Sequence, residues 1–197
     1  MADLILVRHG ESEWNKKDLW TGLADVSLSE NGKKEARRVA FELSNLKIDI
    51  AYTSVLKRAK ETLDIIKKVL NLHDLPETES KALNERDYGE FTGKNKWEIE
   101  NVYGEETFKK IRRGWNYPIK AGETLKDVYN RVVPCYKQEI LPKLKNGKNV
   151  LIVAHGNSLR ALIKYLGSIS DDDISNIELK TGEIYTYHVG RDGKVTY

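Results

Sequence analysis

Residues 4–15 read "LILVRHGESEWN": four apolar side chains, Leu4–Val7, run straight into Arg8, His9 and Gly10. A short unbroken apolar run bounded by turn formers predicts a strand buried on both faces. Such strands belong to parallel sheets covered by helices. The pattern recurs at 150–160, "VLIVAHGNSLR", where an apolar run again ends in His-Gly, here His155 and Gly156. In open α/β sheets, ligands bind beyond the carboxyl ends of the strands. His9 and His155 are therefore expected in one crevice. Gly10 and Gly156 let the backbone turn and approach a ligand closely. A helix after His155 turns free N–H groups toward the same place and favours an anion.

The rest of the chain alternates in period. Ala36, Val39, Ala40, Leu43 and Leu46 predict a helix over 30–46, with Ser27 and Glu30 as a capping-box pair. Residues 48–53 predict a second strand, and 56–72 a helix with Ala59, Leu63, Ile66 and Leu70 on one face. A short strand is expected over 78–83. Residues 94–123 read as irregular, with short helices, Gly breaks and no long apolar stretch. Residues 124–144 predict a helix with Leu125, Val128, Val132, Tyr136 and Ile140 on its apolar face. Pro134 should kink it, because the ring removes a backbone bond. A buried strand at 149–154, a helix at 159–166 and a hairpin of 186–189 with 195–197 complete the pattern. Alternating strands and helices predict one domain over 1–197, an α/β three-layer sandwich with a mostly parallel central sheet.

The 33 basic and 30 acidic residues give a net charge of +3, too mild to point to nucleic acid or a membrane surface. No apolar run approaches the ~18 residues of a membrane span. No signal peptide is visible, so the cytoplasm is the expected location. The single cysteine, Cys135, excludes an internal disulfide and reads as inert core.

Cations gather around the two histidines. Arg8 precedes His9, Arg58 follows a strand in "AYTSVLKR", and "IRRG" supplies Arg112 and Arg113. Guanidinium groups hold phosphate bidentately. Histidine among arginines points to phosphoryl transfer through a phosphohistidine, which needs a neutral ring and cations for the equatorial oxygens. His9 is the candidate nucleophile, with Arg8, Arg58 and His155 as a cationic clamp. Glu85 in "LNERDYG" is the candidate proton donor. No cluster has metal-ligand spacing, so side-chain cations are expected in place of a metal. His73 and His188 lack this setting and are expected at the surface or an edge.

"LILVRHGESEWN", "WTG", "AYTSVLKRA", "LNERDYG", "RRGW" and "AHGNSLRALIKYL" closely resemble the 2,3-bisphosphoglycerate-dependent phosphoglycerate mutases of the histidine phosphatase superfamily, from Leu4 to about Gly182. The resemblance implies interconversion of 2- and 3-phosphoglycerate in glycolysis and gluconeogenesis, primed by 2,3-bisphosphoglycerate and without metal. It implies His9 as the phosphorylated residue, Glu85 as acid and base, and His155 as stabiliser of the transferring group. Arg8, Ser12, Asn15, Arg58, Gly156 and Asn157 match positions that cradle the phosphoryl group. Thr21, Gly22, Arg86, Tyr88, Lys96, Arg112 and Arg113 match positions that hold the rest of the substrate. Residues 94–123 would then be a lid and substrate-binding insertion.

Three departures stand out. Typical members read "NERHYG", whereas Asp87 stands here, an added carboxylate that must turn outward or pair with an arginine. The segment after "RRG" is short, and the long C-terminal tail of larger members is missing. The resemblance then implies a more open site with some hydrolysis, and a monomer or weak homodimer. A phosphatase of the same fold and a catalytically dead anion-binding module are the rival readings. The latter would have lost His9, Glu85 or His155.

Overall fold

The computed structural model describes residues 1–196; Tyr197, expected in the hairpin, lies outside them. The strands are β1 (Ala2–Arg8), β2 (Ile50–Thr53), β3 (Glu77–Glu79), β4 (Val150–Ala154), β5 (Ile184–Val189) and β6 (Val195–Thr196). The helices are α1 (Glu30–Glu42), α2 (Lys57–Val69), α3 (Lys96–Tyr103), α4 (Glu105–Arg113), α5 (Leu125–Cys135), α6 (Leu141–Lys145) and α7 (Gly156–Leu166). One sheet runs β3-β2-β4-β1-β5-β6. Its first four strands are mutually parallel, and β5 and β6 are added antiparallel.

Successive strand residues point to opposite faces, and this splits the core in two. Leu4 and Leu6 join Val150 and Ile152 beneath Leu125, Val128 and Val132 of α5 and Leu159 and Leu162 of α7. Ile5 and Val7 join Leu151 and Val153 against Val39 and Ala40 of α1 and Leu63 and Ile66 of α2. The result is the expected three layers. Leu6 is fully buried, so Leu6→Ala costs about 2–5 kcal/mol.

A third, smaller core holds residues 94–123 in place. Ile99, Phe108, Ile111 and Ile119 pack on Trp20, Tyr88 and Phe91. Trp20 N donates to Lys94 O at 3.0 Å and Lys96 N to Asp18 O at 2.8 Å. The segment lacks a long apolar stretch, but four spaced apolar side chains do the same work.

Several boundaries differ from the sequence reading. The N-cap of α1 is Ser29, whose Oγ accepts from Gly32 N at 3.0 Å. The Ser27–Glu30 box does not form, because Ser27 O is taken by Glu13 N at 3.1 Å and Leu28 bridges to Ser12. The helix at 124–144 passes through Pro134 as α-helix and shifts register only at Tyr136–Ile140, a π segment leading into Pro142. A proline ring clashes with the carbonyl four residues before it, so the irregularity belongs to Pro142. The strand expected at 78–83 is only β3; Ser80 then caps a 3₁₀ turn over Lys81–Leu83. α7 starts at Gly156, three residues early. None of the helices is long and apolar enough to cross a membrane among the described residues.

Candidate active site

β1 and β4 are neighbours, so the residues that follow them emerge together. His9 N donates to Ala154 O at 2.9 Å, and the His9 and His155 rings meet edge-on with centroids 4.9 Å apart. Gly10 has a packing reason that the sequence reading did not supply. A Cβ there would lie 2.3 Å from Gly32 O, so the turn after β1 sits directly on the start of α1. Gly156, by contrast, borders Arg8 and Glu85 in the cavity.

The two imidazoles are tuned separately. His9 Nδ1 lies 2.6 Å from Gly10 O. A carbonyl only accepts, so Nδ1 carries the proton and Nε2 keeps its lone pair. Burial, then Arg58 and Arg8, hold the His9 pKa well below the ordinary histidine value. His155 Nε2 lies 2.6 Å from Ser54 Oγ. Burial, then Arg58, His9 and Arg8, also keep this ring neutral. The expectation of a cationic His155 is corrected here, since an imidazolium beside two buried guanidiniums is repelled. The positive charge of the clamp comes from Arg8 and Arg58.

Backbone carbonyls aim these arginines. Arg58 donates to Ala24 O at 2.9 Å and Gly22 O at 2.8 Å, and burial brings its pKa down to about 10, leaving it charged at neutral pH. Arg8 donates to Leu179 O, while its buried Nε has no partner among the described residues. Glu85 is fixed through one oxygen. Oε1 accepts from Arg86 N at 2.7 Å, Asn157 N at 3.2 Å and Asn157 Nδ2 at 3.0 Å; Oε2 is used by none of these. Asn157 Nδ2 also donates to Tyr88 Oη at 2.8 Å.

The cavity between them encloses about 90 Å³. Arg8, His9, Arg58, Glu85, Gly156 and Asn157 line its inner part. Asn15, Thr21, Gly22, Tyr88, Lys96, Arg112 and Arg113 also line it. His155 is fully buried beside His9 and not part of the cavity lining, its Nδ1 without a partner among the described residues. Ser12 is buried and donates to Asn15 Oδ1 at 2.9 Å, holding Asn15 rather than facing the cavity. Arg86 does not line the cavity either: it donates to Ile111 O at 2.8 Å and Arg112 O at 3.0 Å, tying α4 to the sheet end. Asp87 is also turned away, its Oδ1 accepting from Gly89 N at 2.8 Å.

Six wall residues escaped the sequence reading: Leu19, Trp20, Arg160, Ile177, Glu178 and Leu179. Glu178 pairs with Arg113 at 2.5 Å and Arg112 at 3.3 Å. Arg160 could have been found, standing one helical turn after Asn157. Glu178 lies in a loop far along the chain and gives no local signal.

Buried neutral His9, two buried guanidiniums and a fixed carboxyl form one phosphate-handling constellation, and residues 4–196 match the histidine phosphatase superfamily (branch 1). The chain belongs to the histidine phosphatase superfamily. Within this superfamily, a 2,3-bisphosphoglycerate-dependent phosphoglycerate mutase of Bradyrhizobium diazoefficiens is 47% identical over 194 residues, 98% of this chain and 94% of its own. A protein of the same description from Cytophaga hutchinsonii is 47% identical over 182 residues, 92% of this chain and 85% of its own. Among solved structures, Bacillus stearothermophilus YhfR aligns with a TM-score of 0.87 at 27% identity, over 100% of this chain and 95% of its own. A mycobacterial glucosyl-3-phosphoglycerate phosphatase, at 20% identity and TM-score 0.86 over 99% of this chain and 95% of its own, shares the fold.

Proposed function

We propose that this histidine phosphatase family member is a 2,3-bisphosphoglycerate-dependent phosphoglycerate mutase that interconverts 2- and 3-phosphoglycerate in glycolysis and gluconeogenesis. The observation that carries the reading is the pairing of a neutral His9, its Nε2 free, with a separate cationic wall of Lys96, Arg112 and Arg113. A phosphatase for simple monoesters has no use for the second group. A bisphosphorylated carboxylate needs it, and the buried Arg8 Nε is a donor with no partner among the described residues, available to an incoming phosphate.

His9 Nε2 attacks phosphorus in line. The P–N bond forms as the P–O bond breaks, and the electron pair stays on the ester oxygen. Glu85 gives that oxygen its proton and takes one from the accepting hydroxyl when the phosphoryl group returns. Arg8 and Arg58 neutralise the equatorial oxygens. His155 hydrogen-bonds the transferring group, and an arriving dianion offsets the repulsion that kept its ring neutral. 2,3-Bisphosphoglycerate supplies the phosphoryl group that primes His9. Arg112, Arg113 and Lys96 hold the carboxylate or distal phosphate. Residues 94–123 act as lid and substrate wall within a single domain, and the partners are small phosphoglycerates in the cytoplasm, with the chain a monomer or weak homodimer.

The test is incubation with 3-phosphoglycerate, with and without 2,3-bisphosphoglycerate and with EDTA, following 2-phosphoglycerate and free phosphate. Isomerisation should depend on the bisphosphate, survive EDTA and exceed phosphate release. Phosphate release equal to isomerisation at saturating substrate would make the protein a phosphatase instead.

A further inference from the structure

Arg160 has no part in the chemistry above, yet it is 4% exposed and charged, with its pKa brought down to about 10 by burial first and Arg86 next. Such a group is costly unless its donors are used. Nη1 donates to Asn157 Oδ1 at 2.9 Å and Nη2 to Arg113 O and Ile174 O, both at 2.7 Å, while the buried Nε has no partner among the described residues.

The two ends of a side-chain amide have nearly the same shape and opposite hydrogen-bonding character. A guanidinium only donates, so Arg160 selects the oxygen end of Asn157. The nitrogen end is then forced to the other side, where Nδ2 meets Glu85 Oε1 at 3.0 Å and Tyr88 Oη at 2.8 Å. Turned by half a rotation, the amide would set its NH2 against a guanidinium and its oxygen against a carboxylate. Both contacts would be repulsive.

We infer that Arg160 is a positioning residue: through the Asn157 amide it pins one oxygen of Glu85 and leaves the other to carry the proton. Its bond to Arg113 O fastens the same linkage to the cationic wall. The inference rests on the acid/base reading of Glu85. A bolt joining α7 to α4 would make the same hydrogen bonds, so the test must separate proton delivery from general integrity.

Leaving-group dependence does so. The 2,4-dinitrophenolate leaving group departs without a proton, whereas phenolate needs one far more. Single-turnover phosphorylation of the full-length protein is measured with phenyl phosphate and with 2,4-dinitrophenyl phosphate. Glu85→Gln, the reference, should lose about 10²–10⁴-fold on the first ester and little on the second. Arg160→Met should lose at least about tenfold on phenyl phosphate, with a much smaller loss on the dinitrophenyl ester, and add nothing to Glu85→Gln in the double variant. Arg160→Lys keeps the charge without the fork; it should show the same selective loss in weaker form, and it carries the test if the Met variant does not fold. Equal losses on both esters, or no loss on either, would overturn the inference. If Glu85→Gln itself slows both esters alike, the acid/base reading fails first and the inference falls with it.

Discussion

The rings of His9 and His155 meet edge-on, 4.9 Å between centroids, and the protein holds both uncharged. This has a thermodynamic consequence. In the unfolded chain each ring takes up a proton near pH ~6.5; in the fold each pKa is depressed. Below ~6.5 the unfolded state therefore binds more protons, and stability falls as pH falls, by at most about 1.4 kcal/mol per pH unit per ring. Above that range the pair contributes no slope. Thermal melts from pH 8 to pH 5 should show the decline, and His155→Asn should remove one proton's share of it. Identical slopes in variant and wild type would mean that the ring titrates in the fold as it does in the unfolded chain.

His9→Ala should abolish acid-labile phosphorylation and mutase turnover together, because among the described residues His9 is the histidine that lines the cavity with Arg8 and Arg58. Mass spectrometry after incubation with 2,3-bisphosphoglycerate reads this directly. Normal labelling of the variant would put the phosphoryl group elsewhere.

Replacing Arg112 and Arg113 with Ala should harm turnover of 3-phosphoglycerate far more than phosphorylation by phenyl phosphate, which has no second anionic group. Equal losses would assign the pair to the fold or to the reacting phosphate.

Glu178 pairs with Arg112 and Arg113, so on the proposed reading it competes with the substrate for them. At 46% exposure its ion pairs are weak, within about 0.2–1 kcal/mol. Glu178→Gln should therefore lower KM for 3-phosphoglycerate by about 1.4- to 5-fold at low salt, and less at high salt. A raised KM would show that the carboxylate orients the arginines for the substrate rather than competing with it.

Gly10→Ala should cost about 1–3 kcal/mol, the range for overpacking a rigid contact, because its Cβ would meet Gly32 O at 2.3 Å. A melting temperature equal to wild type would show that the turn can move away from α1.

The parts legible in the sequence were those encoded locally. Leu4–Val7 and Val150–Ala154 declare buried strands, and His-Gly at both ends places two rings side by side once the strands pair. Quantities set by the assembled surroundings were not legible. His155 looked like a cation, but burial first, and then the guanidiniums beside it, hold its pKa well below the ordinary histidine value. Ser27 had capping-box spacing, but a loop claimed its carbonyl. Ser12 and Arg86 matched family positions, yet one supports Asn15 and the other ties down α4. Ile99, Phe108 and Ile111 lie in two short helices and Ile119 in the loop beyond, and Trp20, Tyr88 and Phe91, from outside the segment, make them a core.

The place of β1 within the sheet bears on how the protein is made. Leu4 pairs with Val150 on one side and Tyr187 on the other. The strand that leads into His9 leaves the ribosome before either of its neighbours, and both of its edges stay bare through most of synthesis. Sheets built from such distant partners form slowly, and unpaired edges invite aggregation. A chain interrupted before β4 therefore lacks the neighbour that sets His9 beside His155, so unfinished chains cannot bring the two rings together.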